Sequence, residues 1–150
     1  MWSGPRNLST AMMYAFGARP DFSVWDDPCY AAYPAATGLD HPMRDAILAA
    51  GETDPRAVAA HCVGEVPGGR TNFYMKHMPH HMVDGFPLDW AAQCTNVHLI
   101  RHPARVVASY LAIRERPTLE DIGLQQQVAI FRRAGGVVID SFDIRQNPAK

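Results

Sequence analysis

No apolar run in this chain of 150 residues approaches the roughly 18 needed to cross a bilayer, and its start lacks the basic and apolar stretches of a secretory signal. Cysteine is scarce: Cys29, Cys62 and Cys94 are odd in number and never spaced C-x-x-C, so they read as reduced, buried thiols rather than a disulfide framework. Charge is scarce as well, at 19% with a formal net of -1, so the surface as a whole does not attract nucleic acid. A repeat and a low-complexity linker are both missing, and the Gly/Pro-rich segment 65–70 is too short to divide domains. What remains, with 47% hydrophobic residues, suffices for one core without a metal or disulfide staple. The expectation is a single cytoplasmic domain over residues 1–150 with no membrane partner.

The informative residues begin at the start of the chain. Trp2-Ser3-Gly4-Pro5-Arg6-Asn7-Leu8-Ser9-Thr10 is an apolar lead, a Gly/Pro turn, a cation and two hydroxyls, opening into a helix-like run over 11–16. Gly4 permits a tight turn, and Ser9 or Thr10 can cap the helix. The unpaired N–H groups of the first helical turn point beyond the loop, where a phosphate or sulfate fits. An ordinary capped helix carries the same letters. The Walker form G-x-x-x-x-G-K-[ST] is absent, since a second Gly and the Lys are missing and Arg6 is the only cation.

A second motif follows much later in the chain. Residues 95–100 read as a buried strand, and Arg101-His102-Pro103 turns it into a helix-like run over 104–116. Pro103 suits the first helical position. Val107, Tyr110, Leu111 and Arg114 keep helical spacing, with Ser109 on the face of Arg105 and His102. Arg101 then stands at a strand's carboxyl end, and its guanidinium fork and the Ser109 hydroxyl can grip one anion; a surface Arg and a solvated Ser are the alternative.

Short β-like runs at 2–3, 22–25, 71–76, 96–100 and 137–140 alternate with helical patterns, the signature of an α/β fold with a parallel sheet. Pro42 and Pro55 start helices closed by Gly51 and Gly64. Thr118 with Asp121 resembles a capping box before a helix to about residue 134. In such a sheet, residues that follow strands gather at the carboxyl edge, where ligands bind. His77 belongs there as a base, a structural histidine or a binding residue, because Pro79 forces the chain out of the sheet. Asp26 and Asp27 belong there too, either in the chemistry or capping the helix after Pro28. His77, His80 and His81 form H-x-x-H-H, but Pro79 keeps His77 and His80 off a common helical face, so no metal is expected. Tyr30, Tyr33, Met12, Met13, Met75 and Met82 read as core or pocket lining.

The two anion motifs, in this order, resemble those of the P-loop-like sulfotransferases that use 3′-phosphoadenosine 5′-phosphosulfate (PAPS). The resemblance implies a three-layer α/β fold, P-loop NTPase-like, with a mostly parallel sheet and helices on both faces. In that family the first loop holds the 5′-phosphosulfate, which implies this role for Arg6, Asn7, Leu8, Ser9 and Thr10. An Arg after a strand and a Ser eight positions later hold the 3′-phosphate, which points to Arg101 and Ser109. The family's base is a His two residues before a Pro, matched by His77-Met78-Pro79. Its Lys lies two residues before that His whereas Lys76 is adjacent, so the Lys role does not carry over. Some branches use a carboxylate after the second strand, matched by Asp27.

The implied reaction is metal-free transfer of a sulfuryl group from PAPS to a small-molecule hydroxyl or amine. Arg6, the loop N–H groups and the hydroxyls would stabilise the leaving phosphate. A P-loop-type nucleotide phosphotransferase and a non-catalytic nucleotide-binding or interaction module are the alternatives. The family's Gly-rich C-terminal segment has no counterpart before Lys150, and the first strand is short against a typical five or six residues. The domain is therefore expected to be incomplete at its C-terminus, with an exposed edge that favours a homodimer.

Overall fold

A computed structural model describes residues 1–112 and 118–147. The end of the helix expected over 104–116, with Arg114, and residues 148–150 lie outside the described residues. The strands are β1 (Trp2–Ser3), β2 (Phe22–Asp26), β3 (Asn72–Lys76), β4 (Val97–Ile100) and β5 (Val137–Asp140). The helices are α1 (Ser9–Gly17), α2 (Ala32–Thr37), α3 (Arg44–Ala50), α4 (Pro55–Cys62), α5 (Pro103–Leu111), α6 (Leu119–Ile122), α7 (Leu124–Ala134) and α8 (Ser141–Gln146).

Every strand pairing is parallel: β2 with β3, β1 with β4, and β4 with β5. A parallel bridge between Trp2 and His77 joins the two halves, as the His77 N–H donates to the Met1 carbonyl at 2.8 Å and the Ser3 N–H to the His77 carbonyl at 3.0 Å. The strand order is thus β2-β3-β1-β4-β5. Two residues suffice for the central strand because a neighbour pins it on each side.

The period-two alternation of a strand sorts the side chains onto two covered faces. On one, Phe16 of α1 stacks on Tyr74 at 4.5 Å and meets Phe22 at 4.9 Å. On the other, Trp2 and Met75 pack with Val58 and Cys62 of α4, Trp90, and Ile130 of α7. Each such large side chain contributes about 1.5–3 kcal/mol by leaving water. Cys29 and Cys62 are free thiols, and burial pushes both up to about 12. Among the described residues, no helix is long and apolar enough to cross a membrane.

One helix differs from the expectation, and two others carry features for which no expectation was stated. The helix anticipated after Thr118 begins with the anticipated capping box but breaks at Gly123, which takes φ 70 with His80 packed against it. Helix α2 forms despite Pro34, because Pro34 falls in the first turn, where an N–H has no intrahelical acceptor. Helix α8 follows β5 directly, capped by Asp140, whose carboxylate accepts from the Phe142 N–H at 2.9 Å.

The topology selects one crevice. The chain leaves β1 for the β3/β2 side of the sheet and leaves β4 for β5, so the carboxyl ends of β1 and β4 flank a switch point. Segments 4–8 and 101–102 both emerge there.

Candidate functional site

The loop after β1 is held in an unusual backbone path. Arg6 and Leu8 adopt φ 65 and 71, a left-handed conformation that costs a non-glycine residue about 1–2 kcal/mol each. The surrounding structure enforces it. Gly4 is buried so closely under α6 that a Cβ would stand 2.6 Å from the Ile122 carbonyl oxygen. Asn7 is buried, and its Nδ2 donates to the Leu99 carbonyl at 3.2 Å. Gln127 of α7 donates to the same carbonyl at 3.2 Å and to the Trp2 carbonyl at 3.1 Å, tying α7 to both central strands.

Leu8, left-handed, passes directly into right-handed α1, and alternation of this kind turns successive N–H groups into one concavity. Neither Ser9 nor Thr10 caps α1, contrary to the expectation: Leu8 is the N-cap and no side chain caps the helix. The reason is register, since both hydroxyl residues already lie inside the first turn. Those N–H groups are left open to an anion.

The second motif meets this loop. Arg6 Nε donates to Ser109 Oγ at 3.0 Å, and Arg101 Nη1 donates to the Arg6 carbonyl at 2.7 Å. Pro103 opens α5, with His102 Nδ1 accepting from the Ala104 N–H, so Arg101 sits between strand end and helix start as expected. Among the described residues, neither Arg6 nor Arg101 pairs with a carboxylate, and Arg105 and Arg145 lie beyond Arg101 around a small crevice that Asp140 also lines. Two guanidinium groups that form no ion pair among the described residues, a hydroxyl and open N–H groups suit a polyanion.

His77 is elsewhere. The expectation set it at the crevice; instead the ring is 2% exposed, stacked on Trp2 at 4.6 Å and tilted against Trp90 at 5.1 Å. Neither ring nitrogen has a hydrogen-bond partner. Burial first, then nearby positive charge, holds the imidazole well below its ordinary 6.5. The physical cause is the bridge to β1, which extends the sheet to residue 77 and turns its side chain into the core. Lys76 Nζ is taken up by Asp26 Oδ1 at 2.5 Å.

Asp27 does stand at the carboxyl edge, at φ 49, where its N–H donates to the Lys76 carbonyl at 2.7 Å. Neither it nor Asp26 caps the next helix, because α2 starts later with Ala31 as its N-cap. The Asp27 carboxylate meets His81 Nδ1 at 2.8 Å, a pair that the sequence reading missed. Tyr30 and Tyr33, read only as lining, border a cavity of about 410 Å³ together with His81 and Tyr110. Proximity to Pro79 at a strand end was the available signal for His81. Among the described residues, no group of three His, Cys, Asp or Glu side chains could hold a metal ion.

At the switch point of this parallel α/β sheet lies a crevice with an open helix N-terminus and, among the described residues, two arginines outside any ion pair, an arrangement suited to an anion. The chain matches the family described as Sulfotransferase domain over residues 1–150, and it belongs to that family. Two proteins of Arabidopsis thaliana, Branched-chain-amino-acid aminotransferase-like protein 2 and protein 1, are 30% and 31% identical over 152 residues, covering 98% of this chain. The chain spans 27% of the length of each. No solved structure matches it.

Proposed function

We propose that this chain transfers a sulfuryl group from PAPS to a small-molecule hydroxyl or amine acceptor. The observation that carries this reading is the contact of Arg6 Nε with Ser109 Oγ at 3.0 Å, with Arg101 anchored on the Arg6 carbonyl. One ligand with a phosphosulfate at one end and a phosphate at the other matches two cationic groups at one crevice. The strand order, the switch point and the open start of α1 support a P-loop NTPase-like arrangement with Arg6 in place of the Walker lysine.

Arg6 and the N–H groups of residues 7–10 would hold the 5′-phosphosulfate and stabilise negative charge as it grows on the leaving phosphate oxygen. The hydroxyls of Ser9 and Thr10 add donors there. Arg101 and Ser109 would hold the 3′-phosphate. Asp27 is the sequence-predicted acid that stands at this edge, whereas the burial of His77 removes it from the acceptor's path.

The test is sulfate transfer from PAPS to a mixture of phenols, alcohols and sugars, followed with and without a chelator. Chelator-insensitive transfer is the expected result. Transfer of a phosphoryl group instead, dependent on Mg²⁺, would contradict the proposal.

A further inference from the structure

A cavity of about 490 Å³ runs through the plane of the sheet. Its long walls are residues 72–75 of β3 and 95–97 at the start of β4, and Met1 closes one end. Met12 and Phe16 of α1 line it from one face of the sheet, Cys62 of α4 and Trp90 from the other. A pocket on one face would take its lining from that face alone, so this is a slot between two strands.

The rims of the slot are strand edges. On their outer sides β3 pairs with β2 over its whole length and β4 pairs with β5 from Val97 onward, but between β3 and β4 the ladder of β1 reaches only to Met1. The Met1 nitrogen donates to the Met75 carbonyl at 2.8 Å. The Met75 carbonyl and the His77 N–H and carbonyl face β1, so the same edge of β3 carries the Phe73 N–H and carbonyl and the Met75 N–H, with no residue of β1 beside them. Across the slot, the Asn96 carbonyl accepts from Val137 of β5, which turns the Val97 N–H the other way, toward the gap. A small molecule would leave these backbone groups without a ladder, whereas an extended backbone pairs with both rims.

Register and direction fix the occupant. Trp2 stands opposite His77 on one side and His98 on the other, so positions ahead of Met1 fall opposite Met75, Tyr74, Phe73 and Asn72 in turn. At about 3.3 Å per residue, a segment of about four residues spans those walls. Both faces of the slot are apolar, which suits an uninterrupted apolar run, the pattern of a parallel strand buried on both sides. The Met1 ammonium is buried, and burial pushes it down to about 6. A peptide N–H in its place makes the same bond to Met75 with no charge to desolvate. We propose that the slot is a strand site, filled by an extended apolar segment that is joined to residue 1 and runs parallel to β3 and β4, completing the central strand. Completion would anchor the strand from which the loop over residues 4–8 leaves.

The experiment compares the parent with a chain carrying Val-Ile-Val-Ile ahead of Met1 and with one carrying Gly-Ser-Gly-Ser, by urea unfolding and by amide hydrogen exchange. The apolar extension is expected to raise the urea midpoint and to slow exchange at Phe73, Met75 and Val97 by about tenfold or more, beyond any change at Tyr74, whose N–H faces β2. The Gly-Ser extension should leave the midpoint and all four amides near parental. The free acetylated peptide Val-Ile-Val-Ile, at about 1 mM beside the parent, should protect the three amides less than the joined segment does, because joining raises its effective concentration.

A higher midpoint with parental exchange at Phe73, Met75 and Val97 overturns the proposal, since the apolar tail then covers some other surface. Equal protection by the free peptide overturns the joined source. If the apolar extension precipitates, a Thr-Val-Thr-Val extension, which offers the same backbone with less apolar surface, decides by the same amides, and parental exchange there overturns the proposal. Neither readout involves a nucleotide or sulfate transfer, so the PAPS reading above and this proposal fail separately.

Discussion

Arg6 donates from Nε to the hydroxyl of Ser109 at 3.0 Å, across 103 positions of chain. The contact exists because β1 and β4 are neighbours in the sheet, so the loop after one and the helix after the other start side by side. It converts two short motifs, each of which also has an ordinary structural explanation, into one basic crevice. Four consequences are measurable.

Gly4 is the tightest point of the loop. A Cβ there would stand 2.6 Å from a backbone carbonyl oxygen of Ile122, which cannot swing aside as a side chain does. Gly4→Ala is expected to cost about 1–3 kcal/mol, the scale of overpacking, and to displace the loop from α6. Urea unfolding checks it, and an unchanged midpoint would contradict the packing described.

Asn7 separates loop geometry from global stability. Its Nδ2 bond to the Leu99 carbonyl disappears in Asn7→Ala, but Gln127 still donates to that carbonyl, and the unpartnered Asn7 Oδ1 disappears as well. The stability loss should therefore stay below about 1.5 kcal/mol. The left-handed path of Arg6 and Leu8 loses its anchor, so affinity for 3′,5′-ADP should fall by more than stability does. Calorimetry beside urea unfolding measures both; a variant with parental affinity counts against the role of Asn7.

His77 predicts the acid limb of stability. Its folded-state proton affinity is held well below the ordinary 6.5, and burial lowers His98 in the same direction. Below about pH 6.5 the unfolded chain takes up protons that the folded chain refuses, so stability falls with pH by at most about 1.4 kcal/mol per unit for each proton. The loss continues until the folded-state values are reached. Phe at position 77 would keep the ring packed against Trp2 and Trp90 and remove two unpartnered nitrogens. His77→Phe should be at least as stable as the parent near about pH 7.5 and less sensitive to acid near about pH 5.5. An unchanged acid slope would contradict the burial of a neutral imidazole.

The two segments that meet at the crevice were legible because each is local: a turn, a cation and a helix start are written in consecutive residues. Strand identities were legible for the same reason, and Phe22–Asp26 and Val137–Asp140 fall where the apolar runs are. The direction of His77 was not, since it depends on which strand lies beside residue 77, and that neighbour is β1, far away in sequence. The Asp27–His81 pair was hidden likewise, because it needs the β2–β3 register, Asp26 opposite Lys76, and register is set by packing between elements. The break at Gly123 follows from the fit of His80 against it, a tertiary contact that overrides a continuous helical pattern.

The central claim is that the loop after β1 and the Arg101–Ser109 pair bind opposite ends of one nucleotide. Calorimetric titration of 3′,5′-ADP into the parent chain and Arg101→Ala tests it most directly. The account predicts saturable binding by the parent and a loss of at least about 1.5 kcal/mol, roughly tenfold, in the variant. Equal affinity for both proteins would contradict it.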